Sequence, residues 1–423
     1  MKKSVLALAS LLSFGSVAVE FKVRDEAFIE NAASHAISIK DWDSPENAAS
    51  TFPHGYKFTS AYYKLDVNGV SPQKLMSADA LDLSKLMVSD IDGKIDLETF
   101  LRDRLKNHSM VVLKGDRIMH EHYWNNMSDK STHIDASVTK SFTSMAAQLA
   151  VAKGQLDMSK LVIEYLPELK GTAWETATVQ DVSDMRTSVI MKIAKHKSWD
   201  DRMSDSQSYY GDTAKDYPNG VSDYFPMVTE HKYKMGEAYT YQCVNTEVLG
   251  KVVERASGKL LAEYIELIFQ SAGTENEAYL VSDHAGGAVA AAGLNASTKD
   301  LARIGQLFLN DGKNYKGEQV LSKAWVDSLY AGNDVVRAAW SMSKEAALAD
   351  GWYKDQFRLL KIENREILAM VGIHGQIVAM DRDSGAVIAM NGGYPQTETA
   401  RMALSIFYKV LPTIFEAVEA VKH

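Results

Sequence analysis

The chain has 423 residues, 46% of them hydrophobic and 24% charged, and a formal net charge of −9. That length suits two domains or one large composite with a sizeable core. An acidic balance without a basic footprint argues against nucleic acid and anionic lipid surfaces as partners.

The first residues read as a secretory signal. Lys2 and Lys3 form a positive start, Val5 to Phe14 is apolar apart from small serines, and Ser16-Val17-Ala18 fits the small-x-small cleavage rule. The expected organisation is a signal peptide over 1–18, an extension over 19–104 and a main domain over 105–423. The expected location is the bacterial periplasm or beyond it. The apolar stretch is too short to span a bilayer, and no other stretch reaches about 18 apolar residues, so no membrane span is expected. A single cysteine, Cys243, leaves no internal disulfide.

Within the extension, Asn47 to Tyr63 lacks periodicity and reads as surface loops. A helix is expected from Asp96, with Leu97, Phe100, Leu101 and Leu105 on one stripe. Ser109 to Leu113 and Arg117 to Trp124 flank Lys114-Gly115-Asp116 and read as a hairpin. His120 and His122 share a strand face, a spacing able to bind metal. With no third ligand nearby, solvent-facing positions are the better reading.

Ile134 to Phe142 holds Ser137 and Lys140, followed by a small-and-apolar run to Ala152 long enough for a buried helix. At i and i+3 two side chains share a helix face, so the lysine can touch the serine hydroxyl. Ser137 would sit at the positive end of the helix, where a developing oxyanion is favoured. That arrangement suits a serine nucleophile with a lysine base. The same S-x-x-K string recurs at Ser71/Lys74 and Ser341/Lys344, but only Ser137 leads into a long apolar helix. An N-cap serine with an ordinary first-turn lysine is the alternative.

Thr178-Val179-Gln180-Asp181 resembles a capping box ahead of another helix. Residues 190–235 are polar and aperiodic and read as a long loop or lid. Its aromatics, Trp199, Tyr209, Tyr210, Tyr217 and Phe225, either line a cleft or anchor the loop. Helices are expected over Val244 to Ala256, over Leu260 to Phe269, from the Ser297/Thr298 cap to Asn310, and over Trp325 to Tyr330. Strands return at Phe357 to Ile362, Ile367 to Val371, Gly375 to Asp381 and Gly385 to Asn391, before a terminal helix over Ala400 to Val421. Strands at both ends and helices between predict an α+β fold: an antiparallel sheet from both chain ends, flanked by helices, with a mostly helical subdomain inserted at about 155–330.

Four pieces now stand in order: Ser137-x-x-Lys140, Tyr241-x-Cys243 before Leu249-Gly250, Gly293-Leu294 through Ser297-Thr298 to Ala302-Arg303, and Ile373-His374-Gly375-Gln376. Together they resemble the serine β-lactamase and penicillin-binding-protein superfamily. The branch they are most similar to is the class C-type relatives, particularly the 6-aminohexanoate-dimer hydrolase group and its esterase members. The resemblance spans roughly residues 105–415. It implies a serine hydrolase that forms an acyl-enzyme on a small-molecule linear amide or carboxylic ester, without metal or other cofactor. Ser137 takes the place of the nucleophile, Lys140 that of its base, and Tyr241 that of the proton shuttle to the leaving group. Cys243 stands at the usual Asn of the second motif, as a small cleft-wall residue or a reactive thiol. Ile373-His374-Gly375 stands at the Lys-Thr-Gly motif. Ile373 removes the lysine that holds a β-lactam carboxylate. His374 bonds either substrate or the sheet, and Gly375 gives the strand room beside substrate. The Gln376 N–H is expected to pair with that of Ser137 as the oxyanion site. A loop tyrosine, Tyr209 or Tyr210, is a candidate for contacting the amide. A non-catalytic binding member of the fold, and a β-lactamase or D-amino peptidase, are the competing readings.

Overall fold

The hairpin read from Ser109 and Arg117 forms as strands Asn107–Lys114 and Arg117–Tyr123. Gly115 takes the positive φ that so tight a turn demands. This computed structural model describes residues 19–78, 80–195, 199–395 and 400–421; the stretch read above as a signal peptide, 1–18, lies outside them. The hairpin is one side of an eight-stranded sheet. Its order is Asp350–Lys354, Phe357–Ile362, Arg365–Gly372, Gln376–Asp381, Ala386–Gly392, Asn107–Lys114, Arg117–Tyr123, then a short parallel edge, Met76–Ser77. The C-terminal strands thus lie beside the first hairpin, the sheet from both chain ends that the strand order implies. Asp350–Lys354 is a strand that the sequence pattern did not mark.

Both faces of this sheet are covered, so its strands read as near-continuous apolar runs while still alternating in direction. Val111 and Leu113 join the core beneath the helices; Met110 and Val112 join the opposite core. The first core packs helices Thr139–Ala152, Cys243–Ser257, Leu261–Ala272 and Thr298–Leu309. The second is closed by Leu97, Phe100 and Leu101, and by Ile406, Val410, Ile414 and Phe415 of the C-terminal helix. Local signals place these helices well. Thr178 and Asp181 form the expected capping box, and Ser297 accepts from the Asp300 N–H at 3.2 Å. Gly258 closes Cys243–Ser257 in the left-handed conformation.

The extension departs from expectation. Glu20–Val23 and Ala61–Leu65 enter a second, five-stranded sheet with Ala278–Ser282, Leu294–Ser297 and Thr132–Ile134. Residues 47–63 are therefore not surface loops. Phe52 and Phe58 are buried with Trp42, whose indole stacks on Phe58 at 5.4 Å. Aromatic burial without a period escapes a pattern search because short turns, not a helix or strand, carry these rings. Among the described residues no helix is long and apolar enough to cross a membrane.

The two strand histidines are half-buried and bonded to each other, not simply turned to solvent. His120 Nε2 meets His122 Nδ1 at 2.9 Å, and His122 Nε2 meets Asn107 Oδ1 at 2.7 Å. Trp124 stacks on His122 at 3.9 Å and shields it. Among the described residues no group of three His, Cys, Asp or Glu side chains is placed to hold a metal ion.

Candidate active site

Strand Thr132–Ile134 delivers the chain to Asp135, and Ala136 then turns at φ 45° into a short 3-10 turn, Ala136–Val138. Helix Thr139–Ala152 follows without a break. The turn lifts Ser137 to a half-buried position at the helix mouth, while Lys140 is enclosed with 1% exposure. Lys140 Nζ donates to Ser137 Oγ at 2.8 Å and to the Ala291 carbonyl at 2.8 Å. Ser137 caps nothing: the helix start has no side-chain cap. The i, i+3 pair is thus in contact, and a main-chain carbonyl fixes the amine on its other side.

Asp135 is completely buried and anchors the turn to the sheet. Asn391 Nδ2 donates to Asp135 Oδ1 at 3.1 Å and to Gln376 Oε1 at 3.0 Å. Burial pushes the Asp135 carboxyl well above the usual carboxylate range, against the Asn391 hydrogen bond that favours its charged form.

Tyr241 approaches from the segment before helix Cys243–Ser257. Lys140 Nζ lies 5.1 Å from the ring centre, and the Arg358 guanidinium 4.9 Å. Arg358 is held by Glu345 at 2.7 and 3.0 Å, so a buried ion pair backs the tyrosine. The two basic side chains and the edge of Tyr353 thereby fix the ring.

Ser137 opens onto a cleft of about 420 Å³. Tyr241, Cys243, Ala291 and Ile373 line it near the serine; Met191, Ile193, Trp199, Met203, Tyr209 and Tyr210 form an apolar and aromatic wall. The lid aromatics divide between the two roles. Trp199, Tyr209 and Tyr210 face the cleft, whereas Phe225 is buried against Trp174. Cys243 is a half-buried wall residue on the first turn of its helix.

The third-motif strand differs from expectation. Gln376, Gly375 and His374 lie behind the wall, and of this group only Ile373 lines the cleft. Gln376 is 1% exposed, donates to the Gly392 carbonyl at 2.8 Å and pairs in the sheet with Gly372. His374 turns at φ 61° and bonds the Tyr394 carbonyl through Nδ1 at 2.7 Å, a structural bond to the segment that follows strand Ala386–Gly392. A Cβ on Gly375 would meet nothing within 4 Å. The close approach is made by Gly372 instead, where a Cβ would stand 3.2 Å from the Ser137 nitrogen and 2.7 Å from the Asp135 carbonyl oxygen. Gly372 is the residue whose missing side chain lets this strand reach the nucleophile turn.

Three site residues were not marked by the sequence. Asp43, from the extension, lines the cleft and accepts from Tyr210 Oη at 2.7 Å. It is the one charged side chain among the described lining residues. Glu247 is buried under the Ala290–Ala291 main chain. The mark it leaves in sequence is an acid among Val244, Val248 and Leu249 on a buried helix. Arg358 has no such mark, since it lies on a strand whose neighbours are also buried.

Comparison with known proteins agrees with this geometry. The Beta-lactamase family model matches residues 97–409. The chain is 27% identical over 310 residues to the 6-aminohexanoate-dimer hydrolase of Paenarthrobacter ureafaciens, covering 72% of this chain and 76% of that one. Among solved structures it resembles one from Bacillus anthracis assigned to the 6-aminohexanoate-dimer hydrolases, with a TM-score of 0.76, 22% identity, and coverage of 91% and 97%. The octameric penicillin-binding protein homologue of Pyrococcus abyssi matches at a TM-score of 0.53 and 16% identity, covering 73% of this chain and 75% of that one.

Proposed function

This chain belongs to the Beta-lactamase family, and we propose that it is a serine hydrolase that cleaves a linear amide or carboxylic ester through an acyl-enzyme on Ser137. The observation that carries this reading is the 2.8 Å contact between Lys140 Nζ and Ser137 Oγ at the floor of an open cleft. A serine hydroxyl is a poor nucleophile until a base takes its proton. Lys140, in its neutral form, accepts that proton as Oγ attacks the substrate carbonyl. The Ala291 carbonyl holds the amine beside Ser137 by accepting one of its N–H groups. Tyr241 relays the proton held by Lys140 to the departing amine or alcohol, and water later attacks the ester carbonyl, breaking the bond from Ser137 Oγ to the acyl group, releasing the acid and returning a proton to Oγ. The N–H groups of Ser137 and Ile373 receive the oxyanion; the Gly372 contact and the place of Ile373 on the wall support that pair.

The cleft chemistry favours neutral or cationic acyl groups over anionic ones. Ile373 offers no charge to a carboxylate, and Asp43 repels one. β-Lactams, which carry a carboxylate, are therefore poor substrates. The test is intact-protein mass spectrometry with a fluorophosphonate probe, with p-nitrophenyl ester and nitrocefin assays alongside. Ser137→Ala is expected to lose the adduct and the ester activity while remaining folded. Full ester hydrolysis by that variant would end this assignment.

The basic start, apolar run and Ser16-Val17-Ala18 of the sequence support export to the periplasm or beyond. Protein recovered from a periplasmic extract is expected to begin at Val19. A chain found only in the cytosol and still starting at Met1 would refute export.

A further inference from the structure

A buried acid sits one layer behind the lysine. Glu247 Oε2 accepts from the Ala290 N–H at 3.0 Å, and Oε1 from the Ala291 N–H at 3.0 Å. Gln207 Nε2, from the cleft wall, also donates to Oε1 at 2.8 Å. The same two residues are gripped from the other side by the nucleophile helix: Lys140 donates to the Ala291 carbonyl, and Thr143 Oγ1 to the Ala290 carbonyl at 2.8 Å. One turn along from Glu247, Gly250 lets its helix close on this loop. A Cβ there would stand 2.8 Å from Ala290 Cβ.

We propose that Glu247 is a positioning residue of the acylation machinery. It fixes the Ala290–Ala291 main chain so that the Ala291 carbonyl holds the Lys140 amine against Ser137, and through Gln207 it ties that anchor to the wall of the substrate cleft. The inference rests on the acyl-enzyme reading above. The chemistry of the contact explains why an acid is used. Three N–H donors converge on one carboxyl group, which as a carboxylate offers acceptors only. An amide of the same shape offers one acceptor oxygen and points its own N–H groups at the remaining donors. Burial of a carboxyl is costly unless such hydrogen bonds compensate, so a carboxyl placed here is held by the loop as much as it holds it.

The experiment measures acylation separately from binding. Stopped-flow burst kinetics with a p-nitrophenyl ester give the acylation rate and the substrate dissociation constant for the wild type, Glu247→Gln and Gly250→Ala. Glu247→Gln keeps the volume and removes the second acceptor. Gly250→Ala moves the same loop by contact alone, without touching any charge. Both are expected to slow acylation by about 10²-fold, the usual cost of displacing a reacting group by about an ångström, with the dissociation constant changed less than about threefold. A space-filling role for Glu247 predicts the opposite: Gln rescues, and acylation stays near the wild-type rate in a protein of unchanged melting temperature. That result overturns the proposal. Should Glu247→Gln fail to fold, Gly250→Ala decides alone, and wild-type acylation in it overturns the proposal equally. Failure of the wild-type protein itself to acquire an acyl group on Ser137 would instead refute the underlying function.

Discussion

Removing one oxygen atom from Tyr241 separates its chemical role from its structural one. Tyr241→Phe keeps the ring and so keeps its contacts with Lys140 at 5.1 Å, Arg358 at 4.9 Å and Tyr353 at 6.1 Å. The ring is only partly buried, so loss of the hydroxyl leaves no cavity behind. If the hydroxyl delivers the proton to the leaving group, the loss depends on how much that group needs one. An amine cannot leave as an anion, and general acid catalysis contributes about 10²–10⁴-fold, or about 3–5 kcal/mol of barrier. p-Nitrophenolate leaves unprotonated. The assay pairs a butyryl anilide with the p-nitrophenyl ester of the same acyl group and reads kcat/KM for wild type and variant. The anilide rate is expected to fall by about 10²–10⁴-fold and the ester rate by less than about tenfold. Equal losses on both substrates would refute the reasoning, because they would place Tyr241 in the activation of Ser137 and not at the leaving group.

Asp43→Asn is expected to relax the bias against anionic acyl groups. A unit charge across a partly hydrated cleft interacts by about 1 kcal/mol, so the ratio of kcat/KM for a succinyl against a butyryl ester should rise about fivefold; an unchanged ratio would remove Asp43 from substrate selection. Acid stability should be set in part by buried histidines. His133 Nδ1 faces the Ile134 carbonyl at 2.8 Å and so carries the hydrogen, which leaves Nε2 to accept from His108 Nδ1 at 3.0 Å in a neutral pair. Burial lowers His108 to about 4 and His133 well below its ordinary value. The unfolded chain takes the protons first, so stability is full above about pH 6.5 and falls by about 1.4 kcal/mol per pH unit per histidine on the way down toward the folded values. Urea midpoints at about pH 7 and 5 should differ accordingly, and His108→Gln should flatten the dependence. Phe142→Ala, on the buried face of helix Thr139–Ala152 and stacked on Phe269 at 5.6 Å, should cost about 3–5 kcal/mol in urea denaturation; a cost below about 1 kcal/mol would mean that the helix is not held by this core.

What the sequence made legible is what short-range physics encodes. The Ser109 to Leu113 strand, the Thr178 cap and the Ser137/Lys140 spacing each depend on residues a few positions apart, and each forms as read. What it hid depends on segments far apart in the chain that the sheets bring together. Asp43 meets Tyr210 across 167 positions, and Asp135 meets Asn391 across 256. No period or motif in the extension reports that its buried aromatics, Trp42 and Phe58, carry a carboxylate into the cleft.

The third motif shows the limit most sharply. Gly372 and Gly375 stand three residues apart, and either suits a close approach to the nucleophile. Strand register decides between them. Gly372 pairs with Gln376, so Ile373, His374 and Gly375 form the connection, and His374 turns over at φ 61° to bond the Tyr394 carbonyl. A register set one residue away would reverse which side chains face the cleft, putting His374 on the wall and Ile373 in the core. The substitution of Ile373 for a lysine therefore bears on substrate only because the pairing of Gly372 with Gln376 leaves that isoleucine facing Ser137. The same pairing leaves an uncharged isoleucine on the wall, so that among the described lining residues the charge is carried by Asp43.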